Sequence, residues 1–261
     1  MDKKLTQRIF IFIILCAGMY FGTSCSHTYY HAPSHNVPLF KEKNEFSLLV
    51  SDISQIVNEV EVQGAYSVTD EAAIAANLMI RPGIQYFDLA GGFYKPMGDE
   101  YIFEIFGGGG IYNQNHSYTD MEYNSNLNIL IPVQYGSANI TSFRSYIQPS
   151  WGVTGEIIDM AISPRVSYFN IYSVENNITD TIVGTYGYDQ SRIVNLMEAK
   201  RHYLFFEPAA TMRVGWKYIK IQVQYSYTLP LGYCNFDYSA SNLSFGVYFN
   251  FSRAYFDRKK V

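Results

Sequence analysis

The stretch SNLSFGVYFNF, residues 241–251, carries the pattern that decides the fold. Apolar side chains occupy every second position, namely Leu243, Phe245, Val247, Phe249 and Phe251. Small or polar residues and one tyrosine stand between them. This alternation predicts a β-strand whose two faces meet different surroundings. In a soluble sheet the apolar face points to a core, whereas in an outer-membrane barrel it points to lipid.

The same alternation recurs along most of the chain. It is clearest in YIFEIFGGGGIY (101–112), FRSYIQPSWGV (143–153), IDMAISPRVSYF (158–169), YLFFEPAATMRVGW (203–216) and KYIKIQVQYSYT (217–228). Shorter segments near 46–50, 58–68, 72–81 and 86–94 follow the same rule. Together they predict an all-β, antiparallel up-and-down barrel of about ten strands, with eight as the smaller alternative. Strands of roughly 9–14 residues are long enough to cross a membrane at a tilt.

The composition agrees with a barrel that faces lipid. Charged residues make up 16% of the 261 residues and aromatic residues 17%. Soluble domains usually carry about 25% charged residues. The mean hydropathy of -0.07 excludes a bundle of membrane-spanning helices. The net charge of -4 gives no electrostatic reason to expect nucleic acid as a partner.

The N-terminus carries an export signal. Residues 1–24 are predicted to be a signal peptide, because basic residues precede a short apolar run. GTSC then ends at Cys25 and resembles a lipobox, in which cleavage before the cysteine is followed by its acylation. Gly22 stands where that motif prefers leucine, so ordinary cleavage near Ser24 or a free thiol is the alternative. We favour a lipid on Cys25.

Residues 25–44 are predicted to be a flexible tether, because they lack periodicity and contain Pro33 and Pro38. Three histidines in this segment recur every four residues, at His27, His31 and His35. On a helix that spacing would suit a metal ion. Pro33 argues against such a helix, so we expect no metal site here.

Four stretches follow one another after the lipobox: YYHAPSHNVPLFKEKNEF (29–46), GAYSVTDEAAIAAN (64–77), SYIQPSWG (145–152) and FEPAATMRVGWKYIKIQVQ (206–224). In this order they resemble a family of Bacteroidota outer-membrane lipoproteins with a β-barrel-like body. The resemblance spans most of the chain. It implies a location and a fold but no biochemical activity, because none is assigned to the family.

The connections between the predicted strands alternate between short and long. The short ones lie near 69–71, 96–100, 154–157 and 215, and the long polar ones lie at 114–141, 175–201 and 229–241. One connection, 81–84, is short where a long one was allowed. With an even number of strands, every long connection falls at the end opposite to the termini. Outer-membrane barrels have short periplasmic turns and long external loops, so the N-terminus is expected on the periplasmic side.

The C-terminal strand also resembles the signal that the barrel-assembly machinery recognises in outer-membrane proteins. Gly246, Phe249 and Phe251 occupy its glycine and its two aromatic positions. The two aromatic rings are expected at the membrane interface. The barrel is expected to span 45–252, and a basic tail, 253–261, follows where many such barrels stop.

The strand face opposite to the apolar one carries charges of both signs. Those expected in the lumen are Glu104, Arg144, Arg165, Glu207, Arg213 and Lys220. A narrow barrel fills its interior with side chains, and buried charges there must pair. We therefore interpret this set as structural. Glu207 and Arg213, or the cross-strand neighbours Glu104, Arg144 and Arg165, are expected to form the pairs.

The function predicted from the sequence is structural or binding. No G-x-S-x-G, H-E-x-x-H or P-loop motif occurs, so we expect no catalytic residues, no metal and no cofactor. The chain is expected to be a lipid-anchored outer-membrane barrel whose external loops form a recognition surface. Its expected partners are outer-membrane lipid, the barrel-assembly machinery and a protein or ligand at the loops, but not nucleic acid.

The main alternative is a soluble periplasmic lipoprotein barrel that binds a hydrophobic ligand. In that case the apolar faces would enclose a cavity and the charged faces would meet water. An outer-membrane enzyme and a pore are the less favoured alternatives. The pore is disfavoured because about ten strands leave little free lumen.

Overall fold

The structure of the chain is a computed structural model that describes residues 28–51, 59–124, 129–180, 190–216 and 218–251. The expected signal peptide (1–24), Cys25 and the tail (253–261) lie outside these residues. The elements are β1 (Phe46–Ser51), β2 (Val60–Ser67), β3 (Ala72–Arg81), β4 (Ile84–Met97), β5 (Tyr101–Asn124), β6 (Ile129–Thr154), β7 (Ile158–Asn176), β8 (Thr179–Asp180), α1 (Gln190–Ala199), β9 (His202–Gly215), β10 (Ile219–Tyr227), β11 (Leu229–Pro230) and β12 (Ser241–Phe251).

Ten of these strands close into a barrel. Their order is β1-β2-β3-β4-β5-β6-β7-β9-β10-β12, and β12 pairs back onto β1, every pairing being antiparallel. The two-residue strands β8 and β11 pair with β6 and β9 outside this ring. The stretch 241–251 is therefore the closing strand, held by β10 on one side and by β1 on the other. This confirms the predicted antiparallel up-and-down barrel of about ten strands.

The apolar faces of the strands point outward. Leu89, Ile147, Ile162 and Ile221 each expose 59–65% of their surface, although they lie in the middle of paired strands. The alternate positions are buried and mostly polar. The soluble alternative required the apolar faces to enclose a cavity, and the observed orientation is the opposite one. An apolar exterior of this extent needs another apolar phase to cover it.

The two ends of the barrel differ. The short-turn end carries the connections 68–71, 98–100, 155–157 and 216–218, together with the start of β1 and the end of β12. The long-loop end carries the connection 82–83 and the longer ones between β7 and β9 and between β10 and β12.

The prediction of a long loop at 114–141 is wrong. β5 and β6 pair from Gln114–Ile140 out to Asn124–Ile129. The outward residues Asn115, Ser117, Thr119 and Asn139 are polar because the hairpin extends beyond the apolar band there.

The predicted tether is the largest departure from expectation. Residues 29–40, here called the lumenal segment, run inside the barrel from the long-loop end to the short-turn end. Tyr29, Tyr30 and Phe40 are fully buried, and Val37 and Leu39 expose 1% and 3%. The segment has no regular secondary structure, as its prolines require, but the barrel wall surrounds it. The expectation of a flexible tether is therefore wrong for these residues.

The glycine run of β5 gives a test of the lumen's packing. A Cβ on Gly110 would lie 2.1 Å from the carbonyl oxygen of Phe87 and 2.5 Å from Cβ of Asp88. A Cβ on Gly107 would meet nothing closer than 3.8 Å. We expect Gly110→Ala to destabilise the barrel by about 1–3 kcal/mol and the matched control Gly107→Ala to stay within about 0.5 kcal/mol of wild type. Urea unfolding in liposomes measures both, and equal effects would contradict the close packing at Gly110.

Candidate functional site

The lumenal segment enters its site between the loops of the long-loop end. The backbone N–H of Tyr29 donates to the carbonyl oxygen of Asp237 at 2.8 Å, and Tyr30 forms a parallel bridge with Tyr238. The two hydroxyls of Tyr29 and Tyr118 lie 2.9 Å apart. The ring of Tyr30 stacks on Phe205 at a centroid distance of 4.3 Å. The segment is therefore anchored by aromatic packing where it enters the barrel.

Side chains of the wall bind the main chain of the segment along its length. The pairs of donor side chain and accepting carbonyl are Gln114 with Tyr29, Tyr112 with His31, Arg165 with Pro33, Gln63 with Ser34, Gln224 with His35, Gln148 with Asn36, Arg213 with Val37 and Tyr248 with Pro38. The amide of Gln224 also accepts the backbone N–H of His35 at 2.6 Å, as a neighbouring strand would. Pro33 and Pro38 have no N–H, so the segment offers more carbonyl oxygens than N–H groups, and the wall needs fewer acceptors than donors to bind it.

Three of the charges that the sequence placed in the lumen, Arg144, Arg165 and Glu207, form a central cluster. Glu207 Oε2 accepts from Arg144 at 2.7 Å and from Arg165 at 2.6 Å, and all three side chains are at most 1% exposed. The hydroxyl of Tyr30 donates to the other Glu207 oxygen. Arg165 also donates to the carbonyl of Pro33 at 2.7 Å. The cluster therefore holds the barrel wall and the lumenal segment together.

A second carboxylate balances the extra positive charge of this cluster. Arg144 donates to the hydroxyl of Tyr86 at 3.1 Å, and that hydroxyl donates to Asp88. Asp88 also accepts from both Asn77 and Tyr146. Two arginines and two carboxylates are thus linked through tyrosine hydroxyls, which is how a dry interior tolerates four charges.

The remaining predicted lumen residues lie elsewhere in the barrel. Glu104 accepts the backbone N–H of Phe40 at 3.0 Å. Arg213 donates to Val37 and to Gln222, and its guanidinium lies 3.7 Å from the ring centroid of Tyr248. Lys220 pairs with Asp159 at 2.6 Å. The six predicted residues are therefore all buried, but only Arg144, Arg165 and Glu207 meet.

The register explains why Arg213 does not pair with Glu207. Arg165 stands directly opposite Glu207 across the pair formed by β7 and β9. Arg213 stands opposite Asp159, near the other end of the same pair. Six residues of strand separate Glu207 from Arg213, a distance of about 20 Å.

The predicted assembly-signal residues lie on both faces of the closing strand. Gly246 faces the lumen, where a Cβ would lie 2.7 Å from the carbonyl oxygen of Val50. Phe251 is 39% exposed, stacks on Phe249 and lies 6.1 Å from the ring of Phe46 on β1. These aromatic rings cover the seam at the short-turn end. Their recognition by an assembly machine stays a prediction.

The long-loop end is covered by a hydrophobic cap that the sequence analysis did not foresee. Val194 and Met197 of α1 are fully buried and pack with Phe169, Tyr203 and Phe236 in one cluster. The overall composition of this region is polar, and it therefore predicts a polar loop. The spacing of Ile193, Val194 and Met197 was the available signal, since three- and four-residue intervals place side chains on one helix face.

The described residues hold little that resembles catalytic chemistry. His35 Nδ1 lies 2.9 Å from Ser163 Oγ, but both side chains are 0% exposed inside the filled lumen. Cys234 is a free, partly buried thiol at the long-loop end, and burial raises the pKa of that thiol. A protonated thiol is a poor nucleophile. Among the described residues, no group of three or more His, Cys, Asp or Glu side chains could hold a metal ion.

Helices contribute nothing to a membrane crossing in the described part of the chain, because none there is both long and apolar enough to span a bilayer.

Of the comparisons with known proteins, the one with solved structures finds similarity. No protein-family model matches the chain, and no curated protein matches it. A NanC porin in a rhombohedral crystal form is similar, with 9% identity and a TM-score of 0.30, over 80% of this chain and 99% of that one. LpxR from Salmonella typhimurium is similar with 6% identity and a TM-score of 0.30, over the same shares of the two chains.

Proposed function

We propose that this chain is a lipid-anchored outer-membrane β-barrel whose lumen is closed by its own N-terminal segment. Its role is structural or binding, and its working surface is the long-loop end. The observation that carries this proposal is the lumenal segment, which the wall binds from Tyr29 to Phe40 inside a barrel with an apolar exterior. The lipid on Cys25 is part of the proposal and rests on the sequence GTSC.

The outward face supports a membrane location. On β7 this face is apolar from Ile158 to Val166 and ends at Tyr168. Ten residues of tilted strand cover about 25 Å, the height of the apolar band of outer-membrane barrels. Tyr168 stacks on His202 at the long-loop edge of this band, and the exposed Trp216 lies at its short-turn edge. Aromatic rings at both edges are typical of membrane interfaces.

The filled lumen argues against a channel. The lumenal segment occupies the axis where a pore would run, and its side chains are almost fully buried. The central charges face one another and the segment rather than water. Porin lumens are polar and filled with water, which requires more strands than the ten found here.

A binding role has its surface at the long-loop end. Tyr172 and Tyr233 are 73% and 76% exposed there, and Leu231 is 53% exposed. Exposed tyrosines provide rigid, amphipathic contact area at a small entropic cost, as they do in antibody loops. We propose a protein or ligand partner for this surface.

The proposed closure is tested by conductance. We expect the full chain in planar lipid bilayers to give no steady current, because the lumenal segment blocks the axis. A chain that lacks residues 28–40 is the comparison, with its folding checked by heat-dependent gel migration. Current through the shortened, folded barrel would support the plug. A steady open conductance of the full chain would contradict the proposed function.

A further inference from the structure

We infer that the chain reaches the lumen from the external face, so that its N-terminus, with any acyl chain on Cys25, belongs to the outer leaflet. This inference rests on the proposed function, because in an outer-membrane barrel the long loops are external and the short turns are periplasmic. It reverses the periplasmic N-terminus expected from the strand count. The acylated cysteine would then be displayed on the same face as the long loops.

Strand β5 defines the direction of the lumenal segment. β5 begins at the short-turn end and ends beyond the membrane band at the long-loop end. As the segment advances from Tyr29 to Phe40, its contacts on β5 move back toward the start of that strand. Tyr29 contacts Gln114 and Tyr118, His31 contacts Tyr112, and Phe40 contacts Glu104. The segment therefore runs from the long-loop end inward.

The depth of Tyr29 in the barrel shows where the lumenal segment begins relative to the bilayer. The outward face of β5 is apolar up to Ile111 and becomes polar at Asn113. Tyr29 binds Gln114 and Tyr118, which lie farther along the same strand. A further partner of Tyr29, Asp237, belongs to the loop between β11 and β12. Tyr29 thus lies at the external edge of the apolar band.

The length of chain between Cys25 and Tyr29 then determines which leaflet an acyl chain on Cys25 can reach. Four residues connect Cys25 to Tyr29, and a fully extended chain of that length spans about 14 Å. The hydrocarbon core is about 30 Å thick. An acyl chain on Cys25 can therefore enter the nearby outer leaflet, whereas the inner leaflet is beyond its reach while the segment occupies the lumen.

The segment is held too firmly at its far end to be withdrawn freely. Leu39 has a φ of 57°, a conformation that persists in leucine only where its surroundings impose it. A Cβ on Gly152 would lie 2.5 Å from Leu39 Cδ2, so that glycine makes the space for this side chain. Lys41 then donates to the carbonyl of Asp99 at the short-turn end. The chain is thus fixed at both openings of the barrel.

The test compares three positions of one short epitope in cells. The epitope is inserted between Ser26 and His27, or at Gly232 in the long-loop end, or at Asp99 in the short-turn end. A membrane-impermeant antibody is applied to intact and to permeabilised cells. We expect the epitopes at 26–27 and at Gly232 to bind equally in both conditions, and the epitope at Asp99 to bind only after permeabilisation.

The three positions separate failure of the inference from failure of the proposed function. If the epitope at Gly232 is visible in intact cells but the one at 26–27 is not, the N-terminus is periplasmic and the inference is overturned. If Gly232 is hidden and Asp99 is visible, the orientation in the proposed function is wrong.

A second variant guards against an insertion that disturbs folding. Thr28→Cys, combined with Cys234→Ser, is labelled with an impermeant maleimide under the same two conditions. Labelling in intact cells supports the inference, and labelling only after permeabilisation overturns it. The mass of the N-terminal peptide reports whether Cys25 carries a lipid, and an unmodified start elsewhere removes the acyl chain from the inference while its topology stands.

Discussion

Replacing Glu207 by alanine is expected to destabilise the barrel by about 3–5 kcal/mol, because two arginines then remain buried without their carboxylate. Arg144 and Arg165 are 0% and 1% exposed and both bind Glu207 Oε2. Tyr30 of the lumenal segment loses its acceptor as well. Urea unfolding of the purified protein in liposomes measures the loss of free energy.

A matched control is the exposed pair formed by Glu198 and Arg201. These side chains are 52% and 43% exposed, at 3.8 Å, and are spaced i,i+3. Glu198→Ala is expected to cost less than about 1 kcal/mol, since exposed pairs contribute little. If Glu207→Ala unfolds at the same urea concentration as Glu198→Ala, the central cluster is solvated and the plugged lumen is wrong.

The second large effect is expected on the outside of the barrel. Ile162 lies near the middle of the outward face of β7 and is 60% exposed. Ile162→Arg places a guanidinium near the centre of the bilayer, at a cost of about 2–4 kcal/mol. Tyr172→Arg is the control, because Tyr172 lies on the same strand and face, ten residues nearer to the long-loop tip. We expect that control to be close to neutral. Assembly yield and unfolding in liposomes measure both variants.

A packed exterior would give a different result. If Ile162 contacted protein rather than lipid, Ile162→Leu would be destabilising and Ile162→Cys would react slowly with a lipophilic label. Lipid exposure predicts a nearly silent Ile162→Leu and rapid labelling of Ile162→Cys. Slow labelling would contradict the membrane-facing assignment of all ten strands, because they share one alternation.

Several parts of the site were predictable because they depend on local alternation. Glu104, Arg144, Arg165 and Glu207 alternate with outward-facing residues of their strands, so their inward direction follows from the period of two. Their partners did not follow. Arg165 faces Glu207 and Arg213 faces Asp159 because of a register that is set by the closed ring. A sequence without its register cannot distinguish these pairings.

The burial of the lumenal segment does not follow from alternation, because its sequence signal is composition rather than a period of two. Pro33 and Pro38 argue against regular structure, and on that ground alone the sequence predicts a tether. Residues 26–40 contain no Asp, Glu, Lys or Arg, an unusual composition for a chain in water. That absence of charge was the available sign of burial. The cap was missed in the same way, since the buried face of α1 lies within a polar region.

The sequence by itself determined the strands, their two faces and the difference between the two ends. These follow from side-chain alternation and from connection lengths, which are local properties of the chain. Only the tertiary structure decided what fills the lumen, which charges pair and from which end the N-terminus enters. Those features depend on the space left when ten strands close, and on contacts between residues more than a hundred positions apart, such as Tyr30 and Glu207.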